Sequence, residues 1–370
     1  MIQFSDKLIQ ILNHGALNLA ISIGYTLEIF DCLDRQETAI EVDTLASQTG
    51  LNRRYLQEWL GIMVTGGIVE LETSGGVEND RYLLPKSHGD LLCRRAGNNN
   101  LGVYTQEIPI LTTSALKAVQ KDFSRGGGIP FSFYPAFQSF MAELSDAKHE
   151  QVLIRDFLPS VDDGKLIKQL EAGICVCDLG CGQGVALNLM ANAFPASFFW
   201  GIDNHEQALA HAASQARKLG LSNVRFELKD AAQIENDPDF FGICDWVCAF
   251  DAIHDQSHPL DALKGCRYML KPDGLFSMID IKAGSRIADN MDHPMAPFLY
   301  TVSLMHCMPV GLNDNGRGLG MMWGRQQALK LLDQAGFSHV AVRDIPNDPF
   351  NVHFQCRMPN HIHGVIAGSG

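Results

Sequence analysis

The sequence predicts an α/β fold in its second half, a doubly wound and mostly parallel sheet of seven strands, behind an N-terminal all-α region that closes in a winged helix. Three observations carry that prediction. From Gly173 onward apolar runs alternate with helical stretches; one of those runs passes directly into a glycine-rich turn; and the first ninety residues hold two short helices followed by two short strands.

The N-terminal elements come first. Asp43 is suited to cap a short helix running through Gln48, Thr49-Gly50 makes a turn, and Asn52 opens a second helix through Met63. Strands are expected around Ile68 to Leu71 and Arg81 to Leu84, with Ser74-Gly75-Gly76 connecting them. That order is a winged helix, and Arg53 and Arg54 would be its base-reading residues if it bound DNA. Charge opposes this. Residues 1–90 hold six Lys or Arg against thirteen Asp or Glu, so a packing and dimerisation module is the better reading. Ile9, Leu12, Leu17, Ile21 and Ile23 give the N-terminal segment an apolar face that points to a partner subunit, hence a homodimer.

Residues 91–172 read as mostly helical, interrupted by Gly126-Gly127-Gly128-Ile129-Pro130. The aromatic residues that follow, Phe131, Phe133, Tyr134, Phe137 and Phe140, either roof a ligand pocket or pack helices. The strands of the third segment, 173–370, are expected at Ile174 to Leu179, Phe198 to Ile202, Val224 to Leu228, Trp246 to Phe250 and Leu275 to Ile281. Two more close the sheet near Val340 to Arg343 and Val352 to Cys356.

At 370 residues the chain exceeds the size of one hydrophobic core, and its formal charge of −13 would repel nucleic acid and anionic membrane surfaces. No apolar run approaches the roughly 20 residues that cross a bilayer. Met1 to Asn13 lacks a basic stretch, an apolar core and a cleavage site, so a cytoplasmic protein is expected. The ten cysteines suit reduced, buried thiols, and Cys175, Cys177 and Cys181 match no zinc spacing.

The segment Val176-Cys177-Asp178-Leu179-Gly180-Cys181-Gly182-Gln183-Gly184 runs from an apolar strand through a glycine turn into a helix beginning near Val185. Glycines let backbone approach a ligand at the carboxyl end of a strand, where open parallel sheets bind their cofactors. A dinucleotide site wants its third glycine one position later. Asp178, two residues before the first glycine, would repel a pyrophosphate but suits the ammonium of a methionine moiety. Asp203 then falls at the end of the second strand, where it can accept ribose hydroxyls, and Asp230 at the end of the third, near an adenine amino group.

These residues, together with Leu270-Lys271-Pro272-Asp273-Gly274, resemble the class I S-adenosylmethionine-dependent methyltransferases, a Rossmann-like fold, over residues 173–357. With the winged helix included, nearly the whole chain is similar to the two-domain small-molecule methyltransferases of bacteria and plants. The resemblance implies S-adenosylmethionine as cofactor, contacted by Asp178, Gly180, Cys181, Gly182, Asp203, Asn204, Asp230, Ala231 and Phe250, and a small-molecule methyl acceptor.

On the acceptor side, Phe250-Asp251-Ala252-Ile253-His254-Asp255 matches the position of the general-base histidine of plant O-methyltransferases, with Asp280 as the acid that orients it. A second family acid, expected within 322–325, is absent. Similarity to bacterial 2-oxo acid C-methyltransferases implies an alternative in which His254, Asp255 and His306 hold iron that chelates the acceptor. Phe131, Phe133, Tyr134, Phe137, Tyr300, Met305 and Trp323 would line an apolar acceptor pocket, or each serves the core. Two rival classes remain, a ligand-sensing transcriptional regulator and a nicotinamide oxidoreductase.

Overall fold

The computed structural model describes residues 3–73, 80–135, 140–141, 144 and 149–358, and the chain divides into two compact units. One comprises Met1–Thr113 with Ser139–Lys148, the other Ser114–Gln138 with His149–Gly370. The predicted wing connection Ser74 to Gly76, the pocket candidate Phe137 and the tail from His361 lie outside the described residues.

The first unit begins with a helix, Phe4–Thr26, and continues through Ile29–Asp34 and Val42–Thr49 to Arg53–Thr65. Asn52 caps the last of these, its side-chain oxygen accepting from the backbone N–H groups of Arg54 and Tyr55. Asp43 does not cap. The helix starts two residues earlier, at Val42 with Glu41 at the cap position, which leaves Asp43 in the first turn, where its carboxylate pairs with Arg53 at 2.6 Å. Strands β2 (Glu70–Glu72) and β3 (Arg81–Leu83) form the wing ladder, and β1 (Ile40–Glu41), too short to announce itself in sequence, adds to its edge. Gly24 lets the helix Phe4–Thr26 approach Trp59, whose indole N–H donates to the Ala20 carbonyl at 2.8 Å; a Cβ on Gly24 would meet the Trp59 ring at 2.4 Å. On the same long helix Phe4, Ile9, Leu12 and Ile23 remain exposed, at 71, 58, 72 and 46%.

The second unit is built on a seven-stranded sheet. Its strands are β4 (Cys175–Leu179), β5 (Phe198–Asp203), β6 (Val224–Leu228), β7 (Cys244–Phe250), β8 (Leu270–Ile281), β9 (His339–Ile345) and β10 (Asp348–Arg357), in the order β6-β5-β4-β7-β8-β10-β9. The first five run parallel, and β10 lies antiparallel between β8 and β9. Strand β8 begins five residues before the expected Leu275, because Leu270 pairs with Cys244; the register then shifts, and pairing resumes at Leu275.

Alternation along the central strands explains why both faces are covered. Val176, Trp246 and Cys248 turn to one side and pack with Leu166, Leu170, Leu187 and Met190. Cys177, Leu179, Val247 and Ala249 turn to the other and pack with Leu263, Met269, Leu331 and Leu332. The ten cysteines are free thiols, eight of them buried. Among the described residues no helix is long and apolar enough to cross a membrane.

Trp246 is fully buried and donates its indole N–H to Ser277 Oγ at 3.0 Å. Trp246→Ala should therefore cost about 3–5 kcal/mol in urea unfolding, from the cavity it leaves and the donor Ser277 loses.

Candidate functional site

The parallel strands end along one edge, and the glycine turn after β4 shapes it. Gly180, Gly182 and Gly184 have φ of +74°, +51° and +71°, a region that side chains strain to enter. Two of these positions are also sterically closed. A Cβ on Gly180 would meet Ala252 at 2.5 Å, and one on Gly184 the Phe226 ring at 2.6 Å. At Gly182 the corresponding space is open, so there the turn presents bare backbone.

Asp178 stands opposite Gly201 of β5 and Cys248 of β7, 3% exposed, and its Oδ1 is buried with no hydrogen-bond partner. Burial pushes its carboxyl up to about 7. A buried oxygen of this kind, beside a turn of bare backbone, is matched by a cationic donor such as an ammonium group. Asp203, at the end of β5, ties the turn to its own strand: Oδ2 accepts from Gly182 N–H and Oδ1 from His205 N–H, each at 2.9 Å. Burial raises its carboxyl, against the lowering effect of those two bonds. Asp230 is exposed and caps the turn Ala231–Asn236 through the Ala232 N–H at 2.9 Å. Asn204 is exposed as well, Cys181 and Phe250 are half-buried, and Ala231 is buried.

A second group of side chains gathers beyond β7 and β8. Asp251, with φ of +50°, turns the chain out of β7, and the buried His254 follows. Its Nδ1 lies 2.9 Å from Asp280 Oδ1 and its Nε2 3.5 Å from Asp255 Oδ1. Burial alone would push the His254 imidazolium down. Asp280 and Asp255 outweigh that effect and hold the ring well above the usual histidine range. Asp280 is 1% exposed, and its Oδ1 also accepts from the backbone N–H of Ile281 at 2.8 Å and the indole N–H of Trp323 at 3.1 Å.

His306 and Cys307 come from a widened helical turn, Ser303–Cys307, of the i→i+5 kind that recurs at functional sites. The His306 ring meets Tyr134 and Phe131 edge-on, with centroids 4.7 and 5.6 Å away, and burial pushes its imidazole down to about 4. Phe131 also contacts His205 beside the glycine turn, at 5.8 Å, so one ring spans the two groups. Backbone contact seats the Phe131 segment: Ile129 N–H donates to Pro309, and a Cβ on Gly128 would meet Asn313 at 2.2 Å. Tyr134 donates its hydroxyl to the Met305 carbonyl at 2.7 Å, which anchors that residue too.

The other pocket candidates disperse. Phe133 is 49% exposed, Tyr300 accepts from Asn290 and packs near Ile281 and Met322, and Trp323 joins the core while reaching Asp280. Among the described residues the His, Cys and carboxylate donors that converge within 4.8 Å are His254 with Asp255 and Cys307, and His254 with Asp251 and Asp280. His306 belongs to neither set; its ring packs edge-on against Tyr134 and Phe131. Cys307, which sequence reasoning passed over, enters instead; its adjacency to His306 was the available signal.

Residues 170–336 match the family model described as a methyltransferase domain, and residues 15–94 match that of a Rv2258c-like winged helix-turn-helix domain. Over 134 residues the chain is 27% identical to probable (S)-tetrahydroprotoberberine N-methyltransferase 2 of Papaver bracteatum, covering 36% of this chain and 33% of that protein. The chain thus spans about a third of the length of that curated relative. The fold matches human N-acetylserotonin methyltransferase in complex with S-adenosylmethionine at a TM-score of 0.69 and 16% identity, over 97% of this chain and 98% of that one. An O-methyltransferase family protein from Burkholderia thailandensis matches at 0.66 and 15%, over 97% and 99%. The second unit therefore has the class I methyltransferase fold.

Because the folded state raises the Asp178 carboxyl from 3.8 to about 7, its ionisation costs stability as pH rises through that window, and the full cost is reached above it. Asp178→Asn removes the cost. The unliganded variant should unfold in urea at the same point as the parent under acidic conditions, and should exceed it by about 1–3 kcal/mol in mildly alkaline buffer.

Proposed function

We propose that this chain, which joins a winged helix-turn-helix domain to a methyltransferase domain, is an S-adenosylmethionine-dependent methyltransferase of a small-molecule acceptor, with His254 as its base. The observation that carries the reading is the buried, unpartnered Oδ1 of Asp178 beside the left-handed glycine turn. In this reading Asp178, Gly180, Cys181 and Gly182 hold the methionine end, Asp203 and Asn204 the ribose, and Asp230, Ala231 and Phe250 the adenine. Bound there, the sulfonium supplies an electrophilic methyl group for in-line transfer.

The chain's own residues do the rest. Asp280 accepts the Nδ1 proton of His254 in a hydrogen bond, which leaves Nε2 as the ring's basic atom. Nε2 takes the acceptor's proton as the acceptor's electron pair bonds to the methyl carbon, and the electrons of the broken carbon–sulfur bond stay on sulfur. Asp280 and Asp255 balance the imidazolium that forms. Phe131 and Tyr134, from the segment 91–172, close the acceptor side and keep water from it.

The narrower reading, a 2-oxo acid on iron held by His254, Asp255 and His306, draws support from the Asp280 contact, since a metal-bound histidine commonly donates its other N–H to a carboxylate. The position of His306 outside the converging donors favours the base instead. Homodimerisation, with residues 1–90 as the dimerisation domain, is supported by the exposed Phe4, Ile9 and Leu12. Ile9→Glu with Leu12→Glu should halve the mass measured by light scattering.

Calorimetry should show S-adenosylhomocysteine bound by the parent and not by Asp178→Ala. With S-adenosylmethionine and a panel of phenols, catechols and 2-oxo acids, His254→Ala should lower turnover by about 10²–10⁴-fold while S-adenosylhomocysteine still binds. Transfer requires neutral His254, whose folded-state pKa is raised above 6.5, so turnover should fall as pH drops through a limb lying above that value. Protein purified without chelators that carries stoichiometric iron, lost in His306→Ala, would replace the base with the chelated acceptor. Absence of any uptake of S-adenosylhomocysteine would end the proposal.

A further inference from the structure

We infer that Trp323 is a positioning residue for the base: its indole N–H holds the Asp280 carboxylate in the orientation that keeps the proton of His254 on Nδ1 and turns Nε2 to the acceptor. The inference rests on the reading of His254 as the base.

Three N–H groups meet on a single oxygen. Asp280 Oδ1 accepts from His254 Nδ1 at 2.9 Å, the Ile281 backbone at 2.8 Å and Trp323 Nε1 at 3.1 Å, while Oδ2, equally buried, has no hydrogen-bond partner. A carboxylate 1% exposed has no water to correct an error of rotation. If it swung so that neither oxygen faced Nδ1, the histidine would lose its fixed acceptor and could carry the proton on Nε2, where it cannot take another. The Ile281 bond alone does not prevent this, because that donor is adjacent in the chain and follows the carboxylate. The indole is the donor that approaches from a different element, so it supplies the restraint.

Local backbone geometry fixes the indole in turn. Trp323 N–H donates to Gly320 at 3.1 Å, and Arg325 N–H to Ala283 at 2.9 Å, so the residues on either side are tied down. Gly324 between them has φ of +74°, and a Cβ there would meet the Gly284 carbonyl carbon at 2.3 Å. The ring itself is 5% exposed and packed in the core, which removes its freedom to swing. A neutral donor serves where the resemblance led to the expectation of a second acid. It restrains Asp280 without placing another charge in a buried site that already holds Asp255 and Asp280.

The test uses the full chain with 15N-labelled histidine, the His254 resonances being assigned by their loss in His254→Asn. In the parent the neutral ring should be the Nδ1–H form. Trp323→Phe, and as a ring-sized alternative benzothienylalanine at position 323, which lacks only the N–H, should populate the Nε2–H form. Asp280→Asn provides the control for a freed tautomer. Turnover should fall about tenfold with KM for S-adenosylmethionine within about twofold, the loss expected for one hydrogen bond to a charged group. Retention of the Nδ1–H form in both 323 variants would overturn the inference, as would a fall in turnover with no change of tautomer. A parent chain that neither binds S-adenosylhomocysteine nor transfers methyl would instead defeat the proposed function, a result distinguishable because the tautomer is read without any acceptor.

Discussion

A carboxylate buried without a complete set of partners is the constraint around which the second unit is organised. Asp178 sits in the middle of the five parallel strands, flanked by β5 and β7, and folding buries its Oδ1 with no hydrogen-bond partner, the Cys248 thiol being the polar group beside the carboxylate. Such a group is costly to the isolated protein, and its raised carboxyl pKa expresses the cost. The glycine turn, the bond from Gly182 to Asp203 and the close approach of Phe226 to Gly201 and Gly184 all hold open backbone next to that oxygen. In the proposed function that cost becomes a preference for a cation at this position.

The group around His254 follows a different electrostatic rule. Charge there is paired inside the protein, His254 against Asp280 and Asp255, and the pairing outweighs the burial of the ring. Its neighbour His306 is at least as buried, and there burial, with the charge of His254, outweighs the pull of Asp255 and pushes the imidazole down to about 4. Two histidines in one small volume therefore differ in ionisation because of what stands beside each ring: the Asp280 carboxylate for one, aromatic edges for the other. Phe131 joins this group to the glycine turn, since its ring touches both His306 and His205.

Much of this was legible in the chain itself. The seven strands of the sheet, the glycine turn, the acids at successive strand ends and the His254-Asp255 pair follow from local pattern, because a strand buried on both faces must be apolar throughout and a left-handed turn selects glycine. The cap at Asn52 is equally local, a side chain reaching backbone two and three residues on. The start of the preceding helix is less legible: Asp43 and the observed cap position Glu41 lie two residues apart, and local sequence does not discriminate between them.

The sequence by itself determined the order of elements and the residue types at the sheet edge, which depend on neighbours a few positions away. Only the tertiary structure decided which side chains meet. Trp323 lies 43 residues from Asp280, and Tyr134 171 from Met305, and nothing in spacing connects them. That Cys307 rather than His306 joins the donors around His254 likewise depends on which way one widened turn faces, where Tyr134 and Phe131 from another part of the chain pack on His306. Contacts of this kind are fixed by packing in three dimensions, so they leave no periodic trace along the sequence.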